Sequence, residues 1–130
     1  MADIQGPVAQ RDPELTQDDL TMAAVAHALG AFTSFVGPAL LYFAYDGRSR
    51  FVQFHALQSM AIQAIAAGVF IGATIITCGV GILAVPPLAV ALVIAEIVYA
   101  TRAYEGQWVS YPRLEGVGAN LRPEALPPAP

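Results

Sequence analysis

The sequence predicts an all-α integral membrane protein with three transmembrane helices. Three observations carry that prediction. Charged residues make up 12% of the chain and apolar residues 56%, so the charge content is about half that of a soluble globular domain. From Met22 to Thr101 the charged residues are Asp46, Arg48, Arg50 and Glu96, and the first three share one short turn. Two further apolar runs follow that turn. A soluble domain must coat most of its surface with polar side chains, and this stretch has too few. Its solvent is lipid. The same composition excludes an ordinary soluble enzyme, and a nucleic-acid partner as well. The chain has no lysine and no basic surface to neutralise phosphates.

Residues 1–21 read as an acidic, flexible N-terminal tail, with Asp3, Asp12, Glu14, Asp18 and Asp19 against Arg11. It lacks the basic start and short apolar run of a secretory signal. Thr16 or Asp18–Asp19 suits a helix N-terminus, where side-chain oxygens cap free N–H groups. Residues 22–104 form the transmembrane domain. Met22 to Tyr45 is 24 residues without a charge, enough at about 1.5 Å per residue to cross a hydrocarbon core of roughly 30 Å. Gly37-Pro38 predicts a kink in this first span, because proline removes a helical hydrogen bond and clashes one turn back. Asp46 to Arg50 is a tight turn by composition.

The second span, Phe51 to Cys78, opens through an interfacial amphipathic turn. There Gln53, His55, Gln58, Ser59 and Gln63 alternate with apolar residues, and it becomes fully apolar from Ala64. Gly79-Val80-Gly81 marks the next turn. The third span runs from Ile82 to Thr101, with Pro86-Pro87 near its start, where proline costs least. Residues 105–130 read as a flexible, proline-rich C-terminal tail. Three spans put the two termini on opposite faces. The positive-inside rule then places Arg48, Arg50 and Arg102 with the C-terminus in the cytoplasm and the N-terminus outside the inner membrane.

Small residues four apart suggest how the helices pack: Ala26, Gly30 and Ser34 on the first span, and Ala64, Gly68 and Gly72 on the second. The third span has Ala91 and Ala95. Such spacing lets backbones approach closely in lipid, although whether the facing helix belongs to this chain or another is not in the spacing.

Chemistry-bearing residues are few. Cys78 is the only cysteine, so neither an intramolecular disulfide nor a thiolate metal site is available. If each span is one straight helix, His27 lies near the outer face and His55 near the inner one, too far apart to share a haem iron. Two histidines without acidic or thiolate companions are a poor zinc set. No catalytic, cofactor or metal site is expected. Glu96 is the sharpest residue, since an intramembrane carboxylate is costly. It either reaches the interface and Arg102, or serves in proton or ion handling. It also lies near the depth of His55 on the next helix, and His55–Glu96 is the candidate intramembrane polar contact.

The stretch Phe51-Val52-Gln53-Phe54-His55-Ala56-Leu57-Gln58-Ser59, after an apolar helix carrying Gly37-Pro38 and a short charged turn, resembles a known family. So do Ala26-His27-Ala28-Leu29-Gly30 and the run from Ala103-Tyr104-Glu105-Gly106-Gln107-Trp108 to Tyr111-Pro112. It is the small bacterial integral-membrane family of unknown function distantly related to the twenty-kilodalton subunit of the chloroplast inner-envelope protein-import translocon. The resemblance spans about residues 22–112. Leu57 and Gln58 stand where that family usually has a charged pair. The resemblance implies a helical membrane fold with no cofactor of its own.

Two functions of different class follow. The first is a non-enzymatic accessory, structural or assembly subunit of a larger membrane complex, its partners being lipids and other membrane subunits or further copies of itself. The second is an oligomeric channel, transporter or protein-translocation component built around Gln58, Ser59, Gln63 and Glu96, which needs several copies because three spans cannot enclose a pathway.

Overall fold

A computed structural model describes residues 14–123. Among these the secondary structure is helical and no strand forms: α1 (Gln17–Thr33), α2 (Val36–Ala44), α3 (Arg50–Ile76) and α4 (Val85–Tyr104), with short 3-10 turns at Val80–Ala84 and Ala119–Leu121.

Local chemistry sets each boundary. Thr16 caps α1 in a reciprocal box. Its hydroxyl accepts from the Asp19 N–H while the Asp19 carboxylate accepts from the Thr16 N–H. Ser49 caps α3 by accepting from the Val52 N–H. Pro86 and Pro87 lie in the first turn of α4, where the missing N–H groups have no intrahelical partner anyway.

The expected single first span is two helices. The chain breaks at Ser34, whose φ of 55° is a conformation that side-chain-bearing residues rarely adopt, and α2 then folds back along α1. Pro38 does not kink a continuous helix as the sequence suggested. It falls in the first turn of α2, so no hydrogen bond is lost. Thr33 seals the break: its hydroxyl donates to Leu29 O at 2.6 Å and accepts from the Gly37 N–H at 2.9 Å. Gly37 has no room for a side chain, since a Cβ there would lie 2.7 Å from Leu29 Cβ.

This reversal brings four helix ends together. Tyr45 Oη, just past α2, donates to Asp18 Oδ2 at the start of α1 (3.0 Å). Gln17 Nε2 donates to Tyr104 Oη at the end of α4 (3.1 Å). Ser49, capping α3, donates to Asp19. The chain therefore enters and leaves at the same end of the helical layer, beside the Asp46–Arg50 turn. Placing the two termini on opposite faces assumed that α1 and α2 are one crossing, and they are two helices.

Helix α1 is wedged between α3 and α4, which hardly meet each other directly. Beyond the tip of α1 those two helices continue as a hairpin whose apolar side chains point outward, among them Val69, Ile75, Ile76, Leu83, Val90 and Ile94. Two segments, Arg50–Ile76 and Val80–Tyr104, are long and apolar enough to cross a membrane, and 17% and 6% of their most apolar stretches are buried within the chain. A soluble core helix would hide that surface, so lipid covers it.

The remaining core sits at the other end, where Leu20, Ala23, Tyr45, Phe51, Val52, Phe54, Ala103 and Trp108 cluster. Residues 105–123 are part of it, which corrects the flexible C-terminal tail. Gly106 turns the chain at φ +81°, and the segment lies back over the helix ends. The Trp108 ring stands edge-on to Phe51, centroids 4.9 Å apart. The Arg50 guanidinium donates to the carbonyls of Leu121 and Arg122, both at 2.9 Å. The prolines at 127, 128 and 130 and most of the acidic N-terminal tail lie outside the described residues.

Candidate functional site

Three faces converge inside the capped end. On α1, Leu20, Ala23, His27 and Gly30 repeat at three- and four-residue steps and are buried. On α3 the corresponding face is Phe51, His55, Gln58, Ser59 and Gln63, and on α4 it is Glu96 and Ala103. His27 lies ten residues into α1, His55 five residues into α3 and Glu96 eight residues before the end of α4. At about 1.5 Å per residue all three come within roughly 8–15 Å of the same end. They meet because α1 starts at that end.

Glu96 Oε2 and His27 Nδ1 share a hydrogen bond at 2.7 Å, with both side chains fully buried. The other ring nitrogen of His27, Nε2, is 3.0 Å from His55 Nδ1. His55 Nε2 in turn donates to Gln107 O at 2.9 Å. The anticipated His55–Glu96 contact is thus real only through His27, which stands between them. The two histidines share one depth rather than lying at opposite faces, because α1 is not the first half of a single crossing.

Glu96 carries four hydrogen-bonding partners. Ser59 Oγ (2.8 Å) and Gln63 Nε2 (3.1 Å) donate to Oε1, and Tyr111 Oη (2.9 Å) donates to Oε2 beside His27. A carboxylate has about four acceptor sites, and all are taken. Burying a charge is tolerable only with this degree of pairing. Burial, with the Glu96 carboxylate next to it, pushes the Tyr111 phenol far above its usual range, so it stays a donor. Gln63 uses its second N–H on Gly30 O at 3.0 Å.

Gln58 clamps the C-terminal segment. Its amide donates to the carbonyls of Leu114 (3.0 Å) and Val117 (2.8 Å), and its oxygen accepts from the Tyr111 N–H at 3.0 Å. Tyr111 also stacks on Tyr99, centroids 3.8 Å apart. The polar residues that the sequence offered for a pathway between copies are therefore spent inside one copy. Tyr111 and Gln107 were missed. The signal for them was the run Trp108-Val109-Ser110-Tyr111, too aromatic and apolar for a solvated tail.

The small-residue stripes divide. Ala26 and Gly30 are buried, and a Cβ on Gly30 would collide with Ser59 and Glu96. Ser34 is exposed at the helix break. Ala64 faces outward, and nothing lies within 4 Å of where a Cβ would stand on Gly68 or Gly72. That second stripe leaves open space where side chains would stand on Gly68 and Gly72. Between α3 and α4, beyond the tip of α1, an apolar cavity of about 200 Å³ is lined by Ser34, Gln63, Ala66, Phe70, Leu88 and Leu92 among others. Among the described residues no three histidine, cysteine or acidic side chains are grouped to hold a metal ion, and both ring nitrogens of each histidine are already engaged.

Fold and site define a small all-α membrane protein with a sealed polar core at one end. The magnetosome magnetite crystal formation protein family, MamF/MmsF, matches residues 18–115, and the chain belongs to that family. The matched range takes in the four helices and the network up to Tyr111. The sequence motifs suggested a small bacterial membrane family, and that much holds; the family shown is MamF/MmsF, and no comparison connects the chain to the chloroplast translocon subunit. Neither the curated proteins nor the solved structures contain a match to it.

Proposed function

We propose that this protein is a non-enzymatic component of the membrane in which magnetite crystals form, where it holds an accessory, structural role beside other membrane subunits or copies of itself. The family match over residues 18–115 carries the reading. The lipid-facing surface of α3 and α4 supports the membrane assignment. The polar core supports a role without catalysis: Glu96, His27 and His55 are saturated by partners within the chain and present no open reactive set. The same saturation removes the support for a channel lined by Gln58, Ser59, Gln63 and Glu96.

The arginines set the orientation in this reading. Arg48, Arg50, Arg102, Arg113 and Arg122 gather near the end where the chain enters and leaves, so both flanks are cytoplasmic and the Thr77–Ala84 turn faces the opposite compartment.

Deletion of the gene in a magnetite-forming bacterium, followed by electron microscopy of the crystals, tests the role. Altered crystal size or number, restored by the wild-type gene, is the expected result. Crystals unchanged in size, number and shape would overturn it.

A further inference from the structure

We propose that the His27–His55 pair is a proton-sensing latch that holds the C-terminal segment 105–122 on the helices at neutral pH and releases it in acid. The latch does not depend on the magnetite reading.

It rests on a count of hydrogens. The chain from Glu96 through His27 and His55 to Gln107 O has three links, at 2.7, 3.0 and 2.9 Å. A hydrogen bond holds one hydrogen, and a carbonyl oxygen only accepts. His55 must therefore donate from Nε2 to Gln107 O. Neutral His55 then offers a bare Nδ1, and His27 donates to it from Nε2. The last hydrogen lies between His27 Nδ1 and Glu96 Oε2. Three links hold three hydrogens, and the third can sit on either the ring or the carboxylate without changing the count. The three links themselves have no place for a fourth. A proton added to His55 Nδ1 would face the His27 N–H at 3.0 Å, two donors pointing at each other inside a low-dielectric core.

The link that gives is the one to the C-terminal segment. His27, His55 and Glu96 sit on three helices packed against one another, whereas Gln107 and Tyr111 sit on a segment that follows α4 and lies back over the helix ends. Its attachments include the bonds to His55, Glu96 and Gln58, that of Tyr99 Oη to Ser110 O, those of Arg50 to Leu121 and Arg122, the stack of Tyr111 on Tyr99, Arg122 over the Phe54 ring, and Trp108 against Phe51 and Phe54. The titratable and charged groups facing the pair are Glu96 and Tyr99 from α4, with Tyr111 and Arg122 from the segment itself. Packed α2 contributes none, and α3 adds neutral Gln58, Ser59 and Gln63. Arg122 lies within electrostatic range of His55, so a second cation there adds to the repulsion.

Trp108 is the chain's single tryptophan and is 6% exposed, so its fluorescence reports docking directly. The full-length protein in lipid nanodiscs should show emission moving to the red as pH falls from about 7 to 4, at and below the free-histidine range, and returning on neutralisation. Circular dichroism should stay helical throughout. His55→Gln offers one N–H to Gln107 O and one carbonyl to His27 and takes up no proton, so it should stay docked across the range. A pH-independent wild type, or a His55→Gln variant that undergoes the same transition, would overturn the latch. If His55→Gln does not dock at any pH, Tyr111→Phe decides. It removes one attachment and leaves the hydrogen count intact, so the transition must persist and move to higher pH. An unmoved transition would overturn the proposal.

Discussion

Gly30 shows how a single atom separates two readings of the same motif. The sequence offers two glycine-bearing stripes of equal merit, but only Gly30 sits where a Cβ meets Ser59 and Glu96. Gly30→Ala should cost on the order of 1–3 kcal/mol through overpacking. Gly68→Ala should stay within about 0.5 kcal/mol, as an outward-facing substitution does. Unfolding of both variants in detergent measures the difference, and equal losses would mean that Gly68 is packed after all. At Glu96 the prediction concerns coupling. Removing one member of this buried hydrogen-bonded pair leaves the other unsatisfied, at about 1–3 kcal/mol. Glu96→Gln and His27→Asn should therefore be strongly non-additive in a double-mutant cycle. The cycle between Glu96→Gln and His55→Asn should show the smaller coupling, since His27 lies between them. The reverse ranking would place His55 against the carboxylate directly.

Helix α1 depends on its first turn more than on hydrophobic patterning, because it must begin at one specific end. Burial raises the Asp19 carboxyl, but hydrogen bonds from Ser49 and from the backbone and side chain of Thr16 outweigh it, and the pKa ends below its ordinary value. A carboxylate whose folded pKa is depressed contributes stability above its unfolded pKa and loses it as pH falls through the folded one. Asp19→Ala should therefore lower stability by about 1 kcal/mol at neutral pH, the usual worth of a cap. The gap between variant and wild type should close in acid, below about pH 4. Thermal melts at several pH values check this, and a gap independent of pH would assign the loss to packing. The break at Ser34 makes the same point about local conformation. Pro38 looked decisive and is harmless, because a proline within the first turn of a helix removes no bond, whereas an ordinary serine ends α1.

The whole molecule is a hairpin of two long helices with a shorter helical pair folded into one end. Tyr45 against Asp18 and Gln17 against Tyr104 bring the start of α1 and the end of α4 to the same end of the helices, and the proposed topology puts both flanks on one side. Tags at Met1 and Pro130 should be protected from, or open to, an impermeant protease together in intact spheroplasts. Cys78, exposed at the far turn, should react with an impermeant maleimide added to the side opposite those tags. Tags on opposite sides would restore three crossings and leave the meeting of the two histidines without a cause.

Much of this was legible in the sequence. The helical class, the lipid environment, the turn at Asp46–Arg50 and the proline-bearing start of the last helix all follow from composition and spacing, which act on each segment separately. The fold-back of α1 and α2, the meeting of His27 with its partners and the docking of residues 105–123 do not. Each depends on which helix ends share a side, and hydropathy is the same for a run that crosses the membrane and one that turns back within it. Direction was decided by tertiary contacts: a carboxylate that needed four donors, a clamp from Gln58 to three backbone groups, and a tryptophan with Phe51 and Phe54 to cover. A buried charge is stable only where every one of its bonds is met at once, and that requirement is a property of the assembled core rather than of any one segment.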